Sequence, residues 1–172
     1  MLKHKKTVLI VFLLGLMLLS SCRAKGPDFA IFLLSEQMAA GEAQMMALTD
    51  LPLEQTPFIS MEDVVMYNPS TYEMTLTESA AAIVHRLGIP VNGMPFVVVA
   101  RGERIFMGAF WTPVSSLSYS GIVAMPSLEE DSSILYFDLG YPSADFFEGV
   151  DLRDNEQIIK AFSKAEKLSE TE

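Results

Sequence analysis

Cysteine and histidine are almost absent from this chain. Its 172 residues include one cysteine, Cys22, and two histidines, His4 and His85. One cysteine cannot form a disulfide within the chain, and a zinc site of the cysteine–histidine type lacks its ligands. A glycine-rich phosphate loop and the G-x-S-x-G sequence of serine hydrolases are also missing. The sequence therefore offers few of the groups that usually carry catalysis, and we predict no cofactor.

Basic residues are scarce as well. The chain has 12 Lys and Arg against 22 Asp and Glu, a net charge of −10. Removal of residues 1–21 would take away three lysines and no acid, which leaves 9 bases against 22 acids, a net charge of −13 over 151 residues. Such a charge argues against a nucleic-acid partner and against a domain lying flat on an anionic membrane. Solubility or an acidic binding function would account for it.

The N-terminal region has the pattern of an export signal. Three lysines precede an apolar run of about 12 residues at 8–19, and two serines follow it. This order of charged, apolar and small residues is typical of a cleavable signal peptide. The apolar run is shorter than the ~20 residues that a membrane-spanning helix requires. We predict that residues 1–21 are removed after export.

Cys22 stands at the expected cleavage point. The sequence Leu19-Ser20-Ser21-Cys22 resembles the bacterial lipobox. The resemblance implies that the Cys22 thiol receives a diacylglyceryl group and that acyl chains hold the protein in a membrane, at ~0.8 kcal/mol per buried methylene. It places the protein in the bacterial cell envelope, on the outer face of the cytoplasmic membrane or on the outer membrane. The alternative is a plain signal peptide that ends in a cysteine.

The rest of the chain is predicted to form a single domain. Residues 22–28 would be a lipidated tether of roughly 20 Å, with Arg23 and Lys25 suited to anionic headgroups. The domain would span residues 29–165, and residues 166–172 would fray. Strands outnumber helices and several are joined as hairpins. We therefore predict an α+β fold whose largely antiparallel sheet has two main helices and a central β-hairpin.

Two segments give the clearest local predictions. Residues 77–87 fit a helix capped by Thr77, with Ile83 on its apolar stripe and His85 in solvent. Residues 96–110 fit a hairpin whose two-residue type II′ turn would begin at Gly102, so that Ala100 pairs with Ile105. Both faces of this hairpin are apolar, which predicts cover on both sides. A short helix is expected over residues 60–66.

The segment 77–110 carries a second resemblance. Its capped helix, followed by the sequence NGMPFVVVARGERIFMGAF, is similar to the helix and hairpin in the first periplasmic domain of the export-translocase subunit SecD. The resemblance covers about a fifth of the chain. It implies a fold and not an activity, because one fold serves many functions.

Catalytic or metal-binding groups are few. Four serines cluster at 115, 116, 118 and 120, and His85 is the only histidine after residue 21 that could activate one of them. The acidic groups at 129–131 and 151–156 do not match a calcium loop, and no metal site is predicted. Paired carboxylates cannot be assessed from sequence.

Aromatic residues form the best candidate binding surface. Phe110, Trp111, Tyr119 and Tyr141 lie in or beside turn-rich sequence, and Trp and Tyr are common in recognition surfaces. The same residues could instead cover the second face of the hairpin. We predict a non-catalytic envelope lipoprotein that binds a protein partner or assists envelope assembly. An envelope hydrolase that uses a serine at 115–120 or paired carboxylates is the alternative.

Overall fold

The computed structural model describes residues 26–129 and 132–169. One eight-stranded sheet in the order β2-β1-β5-β6-β7-β8-β4-β3 organises them. The strands are β1 (Phe29–Leu33), β2 (Ile59–Ser60), β3 (Val64–Asn68), β4 (Glu73–Leu76), β5 (Met94–Ala100), β6 (Glu103–Phe110), β7 (Tyr119–Pro126) and β8 (Ile134–Tyr141). Every neighbouring pair is antiparallel except β6–β7. The predicted α+β class with a largely antiparallel sheet is confirmed.

Three helices accompany the sheet. They are α1 (Ala40–Ala43), α2 (Glu78–His85) and α3 (Glu156–Lys164), and single 3-10 turns cover Met61–Asp63 and Ala144–Phe146. None of the helices in 26–129 and 132–169 is long and apolar enough to cross a membrane. The predicted signal peptide at 1–21 and the lipidation site Cys22 lie outside the described residues.

The central hairpin β5–β6 is buried on both faces, as its sequence predicts. Alternate side chains point to opposite sides of a strand. Phe96 and Val98 therefore enter the main core, which is closed by residues of α2 and α3. Val97 and Val99 face the other way, where Ala43 and Leu51 of the segment between β1 and β2 cover them.

The turn of this hairpin differs from the prediction by one residue. Arg101 and Gly102 both have positive φ, 51° and 83°, as a type I′ turn requires, so Ala100 pairs with Glu103 and not with Ile105. A register shift between Val98 and Val99 then leaves Ile105 as the extra residue. The prediction was wrong because a type II′ turn and a type I′ turn with a bulge fit the same glycine.

The helix caps follow the sequence more closely. Thr77 accepts a hydrogen bond from the backbone N–H of Ala80 at 3.3 Å, and α2 buries its small apolar side chains. His85 is exposed, as predicted. Ile83 was expected on the buried stripe but is 51% exposed, because α2 lies on the core through alanines at 80 and 81 and through Val84.

The predicted helix over 60–66 is a strand for most of its length. Ser60 and Asp63 do form a capping box, with a 2.8 Å bond from the Ser60 N–H to the Asp63 carboxylate. The turn ends after Asp63, and β3 begins at Val64. Two β-branched valines and the pairing with β4 override the capping signal.

Both described ends of the chain are held to the domain. Residues 26–28, predicted as part of the tether, lie against the hairpin turn, where Gly102 N–H donates to Pro27 O at 3.1 Å. Residues 166–169, predicted to fray, bridge to β3 through Tyr67 and Leu168. Lys167 Nζ also donates to Met61 O at 2.7 Å. Backbone hydrogen bonds hold both segments in place. The hydrophobic pattern of the sequence does not predict these bonds.

Candidate binding surface

The four aromatic residues singled out in the sequence are not exposed. Phe110 is fully buried in the main core, Trp111 is 2% exposed and Tyr119 is 5% exposed. Tyr141 is partly buried beside them. These side chains do not form the surface predicted for them. Trp111, Tyr119 and Tyr141 instead cover the second apolar face of the sheet, where they pack together with Ala40 of α1.

The three rings of this cover pack as an aromatic stack. Trp111 lies nearly parallel to Tyr119, with centroids 5.2 Å apart and an interplanar angle of 17°, and it contacts Tyr141 at 5.6 Å and 45°. Gly93 gives the indole its space, because a Cβ there would lie 2.4 Å from the ring. Gly121 does the same for Tyr119, at 2.6 Å from its hydroxyl. The glycines permit the stack to lie directly on the sheet.

Two polar atoms of the stack have no hydrogen-bond partner among the described residues. They are Trp111 Nε1 and the Tyr119 hydroxyl. Burial raises the pKa of Tyr119, since the phenolate would lose its hydration. The stack is therefore an apolar support whose polar tips are poorly satisfied.

The loop 112–118 crosses above this stack and is braced by hydrogen bonds. Ser115 Oγ donates to Val91 O at 2.6 Å and accepts from the Leu117 N–H at 3.1 Å. The Tyr141 hydroxyl is within 3.0 Å of Pro113 O and 3.3 Å of Ser115 O. Ser115 is 8% exposed, so its bonds are shielded from water. The loop is held in one shape by buried polar contacts.

Apolar side chains point outward from this braced region. Val114 is 80% exposed, Val91 is 55% exposed and Leu117 is 48% exposed. We call these three residues the apolar loop surface. Single exposed apolar residues are ordinary, whereas contiguous exposed apolar patches are typical of protein interaction sites. The signal in the sequence was the presence of Val114 and Leu117 in a segment otherwise rich in serine and proline.

A groove lies next to Val91, because Pro90 and Gly93 line it. Its volume is about 300 Å³, and it is lined by residues of the β1 end and of the β5 start, among them Leu33, Met38 and Met94. The exposed carboxylates of Glu36 and Glu54 also line it. The groove thus combines an apolar floor with negative charge and suits a segment that is apolar and basic.

The serines and the histidine are not brought together. Ser115 is committed to Val91, and Ser120 shares a 3.1 Å hydrogen bond with Gln44. His85 Nε2 lies 2.8 Å from Ser132 O, on a helix that packs against the main core on the other face of the sheet. A serine nucleophile needs its base within hydrogen-bond reach, so this geometry does not support a serine nucleophile activated by His85.

The acidic groups also have ordinary partners. Asp151 pairs with Arg153 at 2.7 Å, and Glu156 pairs with Lys160 at 2.5 Å. Within 26–129 and 132–169, no three His, Cys, Asp or Glu side chains are grouped to hold a metal ion. Of the acids at 129–131, Glu130 and Asp131 lie outside the described residues.

Arg153 is the buried charge that sequence reasoning missed. It is 8% exposed, lies 3.5 Å from the centroid of the Tyr72 ring and donates to Phe137 O at 2.7 Å. The bidentate contact with Arg153 lowers the pKa of Asp151. This arrangement ties the segment that leads into α3 to the sheet and is structural, since the guanidinium already has protein partners.

Comparisons with known proteins add no relative: no family model, no curated protein and no solved structure matches the chain.

Proposed function

We propose that this protein is a lipid-anchored domain of the bacterial envelope that binds a protein partner without catalysis. The observation that carries the proposal is the apolar loop surface, because Val114 and Leu117 are exposed on a loop that Ser115 ties to the carbonyl of Val91, the third exposed residue. A preformed surface loses little conformational freedom on binding, which favours affinity.

The chemistry of the surface indicates the chemistry of the partner. Val91, Val114 and Leu117 would contact apolar side chains. Glu36 and Glu54 in the adjoining groove, on a chain with a large excess of acids, would attract lysine or arginine. Opposite charges raise the rate of encounter and select among partners. The partner is therefore a protein segment in which apolar residues are flanked by basic ones.

The lipid anchor supports a role at a membrane. Cys22 precedes Gly26, the first described residue, by four positions, a span of about 14 Å at most. Gly26 lies at the hairpin turn, whereas Val91 precedes β5 at the other end of the hairpin. The eight residues of β6 separate these ends by about 27 Å. The apolar loop surface would thus lie away from the anchored end.

Site-specific photo-crosslinking tests the binding surface. A photoreactive amino acid replaces Val114 in the full chain, expressed in a bacterium that processes lipoproteins, and Ile83 serves as the matched position on the other face. We expect a discrete adduct from position 114 that is lost when Leu117→Glu is added. Equal adducts from both positions would contradict the proposal.

The anchor has its own test. Radiolabelled fatty acid should label the wild-type chain, and Cys22→Ala should abolish the label because the thiol is the acyl acceptor. A wild-type chain that takes up no label would refute the lipid anchor and leave the crosslinking result standing by itself.

A further inference from the structure

The two edge strands of the sheet differ in length. β2 comprises two residues, whereas β3 comprises five. A strand at the edge of a sheet presents N–H and C=O groups that can pair with another chain, and a very short strand limits this risk. β3 is longer, and its side chains Val65 and Met66 are 49% and 43% exposed. Of the two edges, β3 is therefore the one to which another strand could be added.

Residues 167–169 lie along the outer edge of β3 and occupy it. The Tyr67 N–H donates to Lys167 O at 2.8 Å, and the Ser169 N–H donates to Tyr67 O at 2.9 Å. Tyr67 thus pairs with Leu168 in a parallel bridge. Both backbone groups of Tyr67 are taken, so a second strand cannot bond to them while this segment is in place.

The Lys167 side chain covers a further part of the same edge. Its Nζ donates to Met61 O at 2.7 Å and also to Val64 O, so the ammonium group lies against two backbone carbonyls at the start of β3. Lysine at a sheet edge discourages edge-to-edge pairing, because an added strand would have to bury or displace the charge. The backbone and the side chain of this segment therefore protect the same edge.

The end of α3 directs the chain to this position. The Lys167 N–H donates to Phe162 O, and the Glu166 N–H donates to Ser163 O, which are the two bonds of a Schellman motif. Glu166 has a φ of 58°, the left-handed conformation that this motif requires. The segment follows α3 without an intervening loop. It therefore competes for the edge of β3 at a high effective concentration.

We infer that residues 167–169 are an edge guard, an autoinhibitory contact that keeps β3 from pairing with β3 of a second copy of this chain. Two identical edge strands pair antiparallel about a two-fold axis, so that each copy makes the same contacts. The exposed side chains of Val65 and Met66 would then lie between the two copies. This inference depends neither on the lipid anchor nor on the apolar loop surface.

Photo-crosslinking from position 65 measures the pairing of β3. A photoreactive amino acid replaces Val65 in the full chain, which is purified in detergent and illuminated at two protein concentrations. The double variant Lys167→Met/Ser169→Pro loses the ammonium group, and proline has no N–H to donate to Tyr67 O. We expect its yield of an adduct of twice the chain mass to exceed that of the natural tail by about fivefold or more, because the guard no longer competes for the edge.

Two single substitutions give matched controls. Ser169→Ala keeps the backbone N–H and removes only the hydroxyl, which has no partner within the described part of the chain. Lys160→Met removes a different lysine of the same region, one that pairs with Glu156 on α3. Both should leave the adduct yield unchanged. Met66→Lys, added to the double variant, should lower the yield, because like charges would meet between the paired strands.

The outcome does not depend on the stability of the double variant. Thermal melts show which variants are folded, and Ser169→Pro alone, which removes one hydrogen bond, takes the place of the double variant if that protein does not fold. Equal adduct yields with and without the guard substitutions would overturn the inference. So would an equal increase from a photoreactive residue at Val114, which is 80% exposed on the loop between β6 and β7, because it would indicate general association and not pairing of β3.

Discussion

At the scale of single residues, Tyr119 combines a favourable ring with an unfavourable hydroxyl. Its ring is buried against Trp111, and its hydroxyl makes no hydrogen bond within the described part of the chain. A buried polar group without a partner costs about 1–3 kcal/mol. The ring therefore stabilises the fold while the oxygen destabilises it.

We expect Tyr119→Phe to raise the free energy of unfolding by about 1 kcal/mol at neutral pH, because it removes only the unpartnered hydroxyl. Burial raises the folded-state pKa of Tyr119, while the unfolded chain ionises near pH 10. Ionisation of Tyr119 therefore leaves the free energy of unfolding of the wild type unchanged below about pH 10 and lowers it progressively above that pH. Urea unfolding at several pH values should show the advantage of the variant growing above pH 10. A less stable variant would mean that the hydroxyl has a partner.

The Asp151–Arg153 pair, unlike the Tyr119 hydroxyl, is a buried polar contact whose partners are satisfied and which stabilises the fold. Arg153 is buried and donates to both carboxylate oxygens of Asp151, at 2.9 and 2.7 Å. Removal of the carboxylate would leave a buried guanidinium with fewer partners. The contact favours the charged form of Asp151 and so stabilises the fold wherever that carboxylate is ionised.

Asp151→Asn should lower the free energy of unfolding by about 1–3 kcal/mol at neutral pH. The folded-state pKa of Asp151 lies below its unfolded value, so this stabilisation is present above about pH 4 and disappears as the pH falls through the folded-state pKa. Urea midpoints at pH 7 and at acid pH measure the change. The neighbouring exposed acid gives the control: Asp154→Asn should shift stability by less than about 0.5 kcal/mol. A constant difference at every pH would contradict the assignment.

At the scale of elements, the parallel pair β6–β7 creates the aromatic stack. A parallel pairing requires the chain to cross the sheet before the next strand begins. Residues 111–118 make that crossing, and Trp111 starts it with a 3.0 Å bond from its N–H to Ala124 O. The indole then covers the sheet beneath the loop. The connection thus covers this face of the sheet beside Ala40 of α1.

We expect Trp111→Ala to lower the free energy of unfolding by about 3–5 kcal/mol, the usual cost of deleting a buried large aromatic side chain. Val114→Ala is the matched control, because its side chain is 80% exposed and should change stability by less than about 0.5 kcal/mol. Thermal melts of both variants decide the point. A stable Trp111→Ala protein would show that the loop does not depend on the stack.

The sequence predicts elements of this fold better than it predicts their arrangement. The hairpin and the helix at Thr77 follow from local pattern and capping. Two features were not predictable: the bulge at Ile105 depends on pairing with β5, and β3 depends on neighbours in the sheet. The apolar loop surface was missed because the exposure of a side chain depends on packing. From sequence alone Trp111 fits a recognition surface better than Val114 does, yet Trp111 is buried and Val114 is exposed.

At the scale of the whole molecule, the acidic charge opposes folding. Charges of one sign repel each other more when the chain is compact, and salt screens that repulsion. Raising the ionic strength from about 0.01 M to about 0.15 M shortens the Debye length from ~30 to ~8 Å. We expect the melting temperature to rise over this interval. A fall would mean that pairs such as Lys164–Asp28 outweigh the general repulsion.

If the chain is exported as proposed, the contact between the two described ends has a consequence for the order in which export and folding take place. Asp28 and Lys164 are 136 positions apart, and Phe29 packs on Phe162 with ring centroids at 4.6 Å. The first strand therefore cannot complete its packing until the last helix is available, which for a chain exported as proposed means after that helix has crossed the membrane. Contacts between distant parts of a chain form slowly because a long loop must close first. We expect the polypeptide to cross unfolded and to fold only after nearly all of it has arrived.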